Sequence, residues 1–358
     1  MKLRKLSAML LLLPLMSGCS TTIDYQTQLD DYVYTMKYHG NFVIAQIADL
    51  HWSNATNVKQ SEDYLASLIS EIKQEKGHID LLVFTGDIFM LASKDTVRTF
   101  TKMMERIRIP YATVWGNHDF ENTYTKSWIQ DHFREAPYSI YQAVDNDNVY
   151  GESNYIINLT SNGKKDGEVK YQLAMLDSGG QLIDQRFTLG AGYDYIREDQ
   201  VEWWKAEHDK AGSAVPTIMY YHIHQQTLVK AYEAYEKDPS AYKAKYYKLE
   251  GWGGNKLGYD NLFETAKNNN VKAMFMGHCH ANDFTIDYEG VTLGFGVKTG
   301  PELYYGKISQ EKSHEVGLDQ AFDLQGSSVV TLNGSSFELE HCYFNKTEGA
   351  NFVEWVKY

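Results

Sequence analysis

The chain predicts an α/β layered architecture. Two patterns carry that prediction. Short apolar runs alternate with helically spaced segments from Asn41 onward, and most of the runs end at Asp, His or Gly. With 358 residues, 43% of them hydrophobic, the chain has material for one large domain or two small ones with a substantial core. Strand, loop, helix and strand in succession is the sequence signature of α/β layering.

The elements follow in order. Phe42 to Ala48 is a short apolar run, and Leu65, Leu68, Ile69 and Ile72 give Glu62 to Lys73 helical spacing. Ile79 to Thr85 reads as a buried strand, Asp95 to Ile107 as a helix and Pro110 to Trp115 as a strand. Tyr138 to Val144, Ser153 to Leu159 and Tyr171 to Leu176 read as successive antiparallel strands, with Asn162-Gly163 in a turn. Gln200 to Lys210 is a helix, and Val215 to Tyr221 and Val271 to Met276 are strands. Four further strands are expected at Phe284 to Tyr288, Val291 to Phe295, Ser328 to Leu332 and Phe337 to Tyr343. The segment 225–259 breaks the alternation: Tyr232, Tyr235, Tyr242, Tyr246, Tyr247, Trp252 and Tyr259 accompany Gly251, Gly253 and Gly254. It is either a helical insertion over a sheet edge or a segment that shapes a binding site.

The N-terminus reads as a targeting segment. Lys2, Arg4 and Lys5 precede an apolar stretch from Leu6 to Met16, too short to span a bilayer. Met16-Ser17-Gly18-Cys19 resembles the lipobox of a bacterial lipoprotein, with methionine where leucine is usual; a plain secretory signal is the alternative. The expected organisation is a signal peptide over 1–18, lipidated Cys19 with a tether to 40, a domain over 41–343 and a C-terminal extension over 344–358. Lipidation would hold the domain extracytoplasmically at a membrane surface. Cleavage after Gly18 removes three of the 34 basic residues and none of the 47 acidic ones, taking the formal charge from −13 to −16. A domain this acidic is a poor partner for nucleic acid or anionic headgroups. Cys279 and Cys342 are expected as two buried thiols.

Five short motifs hold residues that ligate metals: Asp49-Leu50-His51, Gly86-Asp87, Gly116-Asn117-His118-Asp119, His222 and Gly277-His278-Cys279-His280. Side chains at the carboxyl ends of strands converge on one rim of an open α/β sheet. Mixed imidazole and carboxylate donors suit Zn, Mn or Fe, whereas all-oxygen sites favour Mg or Ca. Singly, each motif has a structural reading: His222 as a hydrogen-bonded histidine, Asp49 or Asp87 as a turn or cap residue, the glycines as turn formers. His39, His224, Cys279 and His341 gain no support as ligands from the motif pattern, and His224 follows ligand His222 by two positions.

In order and composition these motifs resemble the calcineurin-like metallophosphoesterase superfamily, across about Phe42 to Tyr288. The resemblance implies a four-layer fold, two mixed β-sheets packed face to face and flanked by helices. It implies that Asp49, His51 and His280 bind one metal, that Asn117, His222 and His278 bind the other, and that Asp87 bridges both. The two ions would be Mn, Zn or Fe. It further implies phosphate mono- or diester hydrolysis by a metal-bound hydroxide, with His118 as general acid and Asp119 orienting its imidazole. Ile88-Phe89-Met90 stands where purple acid phosphatases carry a metal-bound tyrosine, so His51 should complete the first site. Leu176-Asp177-Ser178-Gly179 and the following Tyr195 to Trp204 resemble a purple-acid-phosphatase-like branch that keeps Asp-x-His. The expected partner is a phosphorylated small-molecule or surface substrate. The alternative is a catalytically weak surface lipoprotein that uses the metal-bearing fold and aromatic insert for binding.

Overall fold

A computed structural model describes residues 28–54, 58–144, 148–182, 192–248, 251–254, 260–301, 307–308, 322–347 and 350–358. The stretch expected as a signal peptide and Cys19 lie outside the described residues, as do Tyr259 and the segment 183–191.

Two mixed sheets form the centre of the molecule. The smaller has the strand order Ala350–Lys357, Ser336–Thr347, Gly326–Asn333, Asn41–Ile47, Leu81–Thr85 and Tyr111–Val114. Its last three strands are parallel to one another, and the others are antiparallel. The larger runs Gln28–Asp30, Val33–Lys37, Tyr155–Thr160, Val169–Met175, Thr217–Tyr220, Val271–Met276, Val291–Phe295, Asn282–Tyr288 and Ala244–Lys248. Thr217–Tyr220 pairs in parallel with both its neighbours.

Alternation along the larger sheet decides how the layers stack. Ile157, Leu173, Ile218, Tyr220, Ala273 and Phe275 share one apolar core with Val43, Ile44, Leu82 and Val83 of the smaller sheet. Their neighbours Ile156, Ala174, Met219, Met274 and Met276 join a second core with residues of the helices Glu198–Ala211, Gln226–Lys237 and Leu262–Asn268. Successive strand residues face opposite sides, so this period of two requires a sheet covered on both faces. Helices Val58–Lys76, Lys94–Ile107 and Lys126–Glu135 add Leu68, Phe100 and Phe133 to the first core. The layers run helix, sheet, sheet, helix.

Helix starts follow local chemistry. Ser93 Oγ accepts from Thr96 N at 3.2 Å and Thr125 Oγ1 from Trp128 N at 3.3 Å, so each caps a free amide. The Lys126–Glu135 helix has no counterpart among the elements expected from sequence.

Three expectations need correction. Tyr138 to Val144 is not a strand: it makes one isolated bridge, Ser139 with Tyr111, and Tyr138 has a φ of 65°. A left-handed residue breaks the extended run that a ladder needs. The stretch expected as a tether includes Gln28–Asp30 and Val33–Lys37, and the latter pairs in parallel with Tyr155–Thr160. The stretch expected as a C-terminal extension includes Ala350–Lys357, paired along its length with Ser336–Thr347. The 225–259 segment supplies the Gln226–Lys237 helix and an edge strand, Ala244–Lys248, on Asn282–Tyr288. Cys279 and Cys342 are both buried thiols, not joined in a disulfide.

Candidate metal centre

The loops leaving Asn41–Ile47, Leu81–Thr85, Tyr111–Val114, Thr217–Tyr220 and Val271–Met276 bring the five motifs onto one rim. The backbone there is strained: Asp49, His51, Asp87 and His278 have φ of 51°, 51°, 50° and 76°. Left-handed non-glycine residues each cost on the order of 1–3 kcal/mol and persist only where the surroundings over-determine them. Two motif glycines are there to admit neighbours. A Cβ on Gly86 would stand 2.4 Å from His222 Nδ1, and one on Gly116 would stand 2.3 Å from Asp87 Oδ1.

The donor atoms form two clusters that share Asp87. In the first, Asp49, His51, Asp87 and His280 each place one ligand atom within 4.8 Å of the others. His51 Nε2 lies 2.9 Å from His280 Nε2 and 3.8 Å from Asp87 Oδ2, and His280 Nε2 lies 3.4 Å from Asp49 Oδ1. In the second, Asp87, His222 and His278 meet the same criterion. His222 Nε2 lies 3.2 Å from Asp87 Oδ2 and 3.1 Å from Asn117 Oδ1. All seven sequence-predicted ligands are therefore brought together, with His280 beside Asp49 and His51, and His278 beside His222.

Asp49, His51, Asp87, His222 and His280 are buried. Burial pushes the His51 and His278 imidazoles down to about 3, so both are neutral and carry lone pairs. Burial would lower His222 as well, but the Asp87 carboxylate beside it prevails and raises it to about 9. Burial works against ionised Asp49 too, yet His280 and His222 bring it down to about 2. Two carboxylates and the neutral imidazoles of His51 and His278, with His222 and His280 beside them, are a donor set that fits divalent cations with nitrogen and oxygen preference.

Neighbouring groups fix the ligands. Thr85 O holds His222 Nδ1 at 2.8 Å, which leaves Nε2 toward the cluster. Ser178 Oγ accepts from the amides of His222 and Ile223 at 3.3 and 2.8 Å. Buried Lys298 donates to Asp49 O at 3.0 Å and Gly300 O at 2.7 Å. Gln46 Nε2 bridges the two sheets below the site, donating to Thr85 Oγ1 and Met276 O, each at 3.0 Å. Sequence reading assigned none of these groups a role. Only Ser178 carried a signal, within Asp177-Ser178-Gly179.

The pair expected as general acid and orienting carboxylate is not a pair. Asp119 is buried and accepts from Gly116 N at 2.8 Å and Phe89 N at 2.9 Å, tying the Asn117 loop to the Asp87 loop. Burial and the nearby Asp87 charge push its carboxyl up to about 7. His118 Nδ1 instead meets Glu121 Oε2 at 2.6 Å. The His118 ring centroid lies 5.5 Å from that of His51.

A hollow of about 490 Å³ opens beside Asn117, lined by Phe120, Lys126, Tyr150, Gln181 and Arg197 among others. The Arg197 guanidinium stacks 3.8 Å from the Tyr150 ring centre and pairs with Asp194 at 3.0 Å. From the other side, Gly253 of the 225–259 segment reaches the centre: a Cβ on it would lie 2.8 Å from His278 Nε2. The segment thus combines edge cover with direct approach to the site.

A family model described as calcineurin-like phosphoesterase matches residues 42–282, which include every residue of the two clusters. The chain belongs to the calcineurin-like phosphoesterase family. Among its relatives is "Probable inactive purple acid phosphatase 29" of Arabidopsis thaliana, 26% identical over 78% of this chain and 76% of that one. "Phosphatase DCR2" of Saccharomyces cerevisiae is 27% identical over 69% of this chain and 45% of that one. A "3',5'-cyclic adenosine monophosphate phosphodiesterase CpdA" of Haemophilus influenzae is 25% identical over 45% and 60% respectively. The calcineurin-like phosphoesterase fold accounts for the two sheets and flanking helices described above.

Proposed function

We propose that the protein is a metal-dependent phosphoesterase that hydrolyses phosphate monoesters or diesters at a dinuclear centre. The observation that carries this reading is Asp87, a single carboxylate shared by both donor clusters. Asp49, His51 and His280 would hold one ion and Asn117, His222 and His278 the other, with manganese, zinc or iron matching the donors. When bound, such a pair of ions activates water and neutralises charge on a phosphoryl group. His118 protonates the departing ester oxygen, its Nδ1 held by Glu121 so that Nε2 is the nitrogen available to the substrate. Asn117, uncharged, limits negative charge where an anionic substrate binds. The hollow beside it accommodates the organic part of the ester.

The same reading extends to location. Lipidation at Cys19 would anchor the domain at an extracytoplasmic membrane surface, with phosphorylated molecules there as substrates. Turnover of p-nitrophenyl phosphate and bis(p-nitrophenyl) phosphate with added manganese or zinc tests the activity. No turnover of either ester with any divalent metal would sink it.

The word "inactive" in the Arabidopsis relative's name supports a second reading, a metal-bearing binding protein. Metal content without hydrolysis, together with tight binding of a glycan or protein, is its expected signature.

A further inference from the structure

We infer that His39, His78 and Asp80 form a separate binding site for one zinc-class divalent ion. The site stands at the opposite end of the smaller sheet from the hydrolytic centre. His39 lies two residues before the Asn41–Ile47 strand, and His78 and Asp80 lie just before the adjacent parallel strand, Leu81–Thr85. Asp87 follows that second strand, so the two sites are roughly 20 Å apart at about 3.3 Å per extended residue.

The geometry is that of convergent donors. His39 Nε2 lies 2.9 Å from Asp80 Oδ1, and His78 Nε2 lies 3.1 Å from Asp80 Oδ2. One ligand atom from each of the three residues falls within 4.8 Å of the others. Two ligands of one tetrahedral zinc ion stand roughly 3.3 Å apart, given bond lengths near 2.0–2.1 Å. Small outward shifts therefore suffice to admit the ion. The backbone carbonyl of Asn41, 3.0 Å from His78 Nε2, offers a fourth donor, an oxygen, beside His78. Asp80 is also fixed from behind, since Val43 N donates to Oδ2 at 2.8 Å. Two imidazoles with one carboxylate select zinc over magnesium or calcium. The histidine side chains are 40% and 38% exposed, so an ion reaches them from solvent.

In the metal-free protein His39 Nε2 hydrogen-bonds to the Asp80 carboxylate, and His78 Nε2 hydrogen-bonds to Asn41 O while lying beside the same carboxylate. Zinc takes the place of those protons and joins the starts of two neighbouring strands. It binds the folded chain alone, so it raises thermal stability by mass action.

Equilibrium dialysis against zinc counts the site directly. The wild-type protein should bind one more zinc than His39→Ala/His78→Ala, with hydrolysis of p-nitrophenyl phosphate unchanged in that variant. His39→Gln alone should show the same loss, which covers failure of the double variant to fold. In an Asp87→Asn background, zinc should still raise the melting temperature, and adding His39→Ala/His78→Ala should make that rise smaller. Equal zinc counts in wild type and folded His39 variants, or an extra zinc seen only at millimolar concentration, would overturn the proposal. The zinc counts and melting temperatures do not depend on the protein being a hydrolase.

Discussion

Glu121, not Asp119, holds the His118 imidazole, with Oε2 2.6 Å from Nδ1. Asp119 stands next to His118 in sequence but turns inward to the amides of Gly116 and Phe89. The two carboxylates should therefore fail in different ways. Glu121→Ala is expected to lower kcat roughly 10-fold or more with KM little changed, because it frees a proton-transfer group worth about 10²–10⁴-fold. Glu121→Gln, which keeps a hydrogen-bond acceptor, should recover part of the loss. Steady-state kinetics on p-nitrophenyl phosphate would show it.

Asp119→Ala acts on the scaffold. It leaves two buried amides without their acceptor, which costs about 1–3 kcal/mol each. The expected result is a lower melting temperature and weaker metal retention, measured by calorimetry and by metal content after dialysis. Unchanged stability in this variant would contradict the assigned role.

Gly116→Ala places a Cβ 2.3 Å from Asp87 Oδ1 and 2.4 Å from Asp87 N. No flexible end is there to move away, so the shared carboxylate must shift. The protein is expected to stay folded by circular dichroism and to lose affinity for both ions of the centre. Normal metal content in Gly116→Ala would count against Asp87 as the shared ligand.

Metal loading should release protons. His222, raised to about 9 beside Asp87, is protonated at neutral pH in the metal-free protein, and a ligand imidazole must be neutral. Affinity at this site therefore rises with pH up to about 9. Calorimetric titration of manganese at pH 7.5 in buffers of different ionisation enthalpy should report release of about one proton from this group. The linkage to stability has the opposite sign. The metal-free protein gains stability from the Asp87–His222 pair below about pH 6.5, the unfolded value, and loses it as pH rises through about 9.

Lys298→Met should destabilise the loop that carries Asp49. The buried ammonium donates to Asp49 O and Gly300 O, and removing it takes that donor from both carbonyls, leaving Asp49 O with the 3.3 Å amide of Gly300, at a cost of about 1–2 kcal/mol. A melting-temperature drop with weaker binding of the ion held by Asp49 is the outcome to look for.

The ligand motifs were legible because each follows a strongly apolar strand and combines residue types that rarely meet without a cation. Of the helices packed on the smaller sheet, two were legible, from Leu65, Leu68, Ile69 and Ile72 and from Asp95 to Ile107, whereas Lys126–Glu135 was not. Val33–Lys37 was not either: Tyr34 and Met36 join the first core and Val33 packs on the second, too short an alternation to separate from a polar tether. Glu121 and Lys298 were invisible for another reason. Whether a carboxylate faces its sequence neighbour or a residue three positions away depends on the backbone path, and no spacing rule states it.

In the proposed function, Asp87 joins two metal ions into one hydrolytic centre. Electron paramagnetic resonance of the manganese-loaded protein, in the His39→Ala/His78→Ala background, tests it most directly. The account predicts an exchange-coupled manganese pair in a protein that turns over p-nitrophenyl phosphate or its bis-ester. Asp87→Asn should lose both the coupling and the turnover. Two uncoupled ions with Asp87 intact, or coupling and turnover that survive Asp87→Asn, would contradict it.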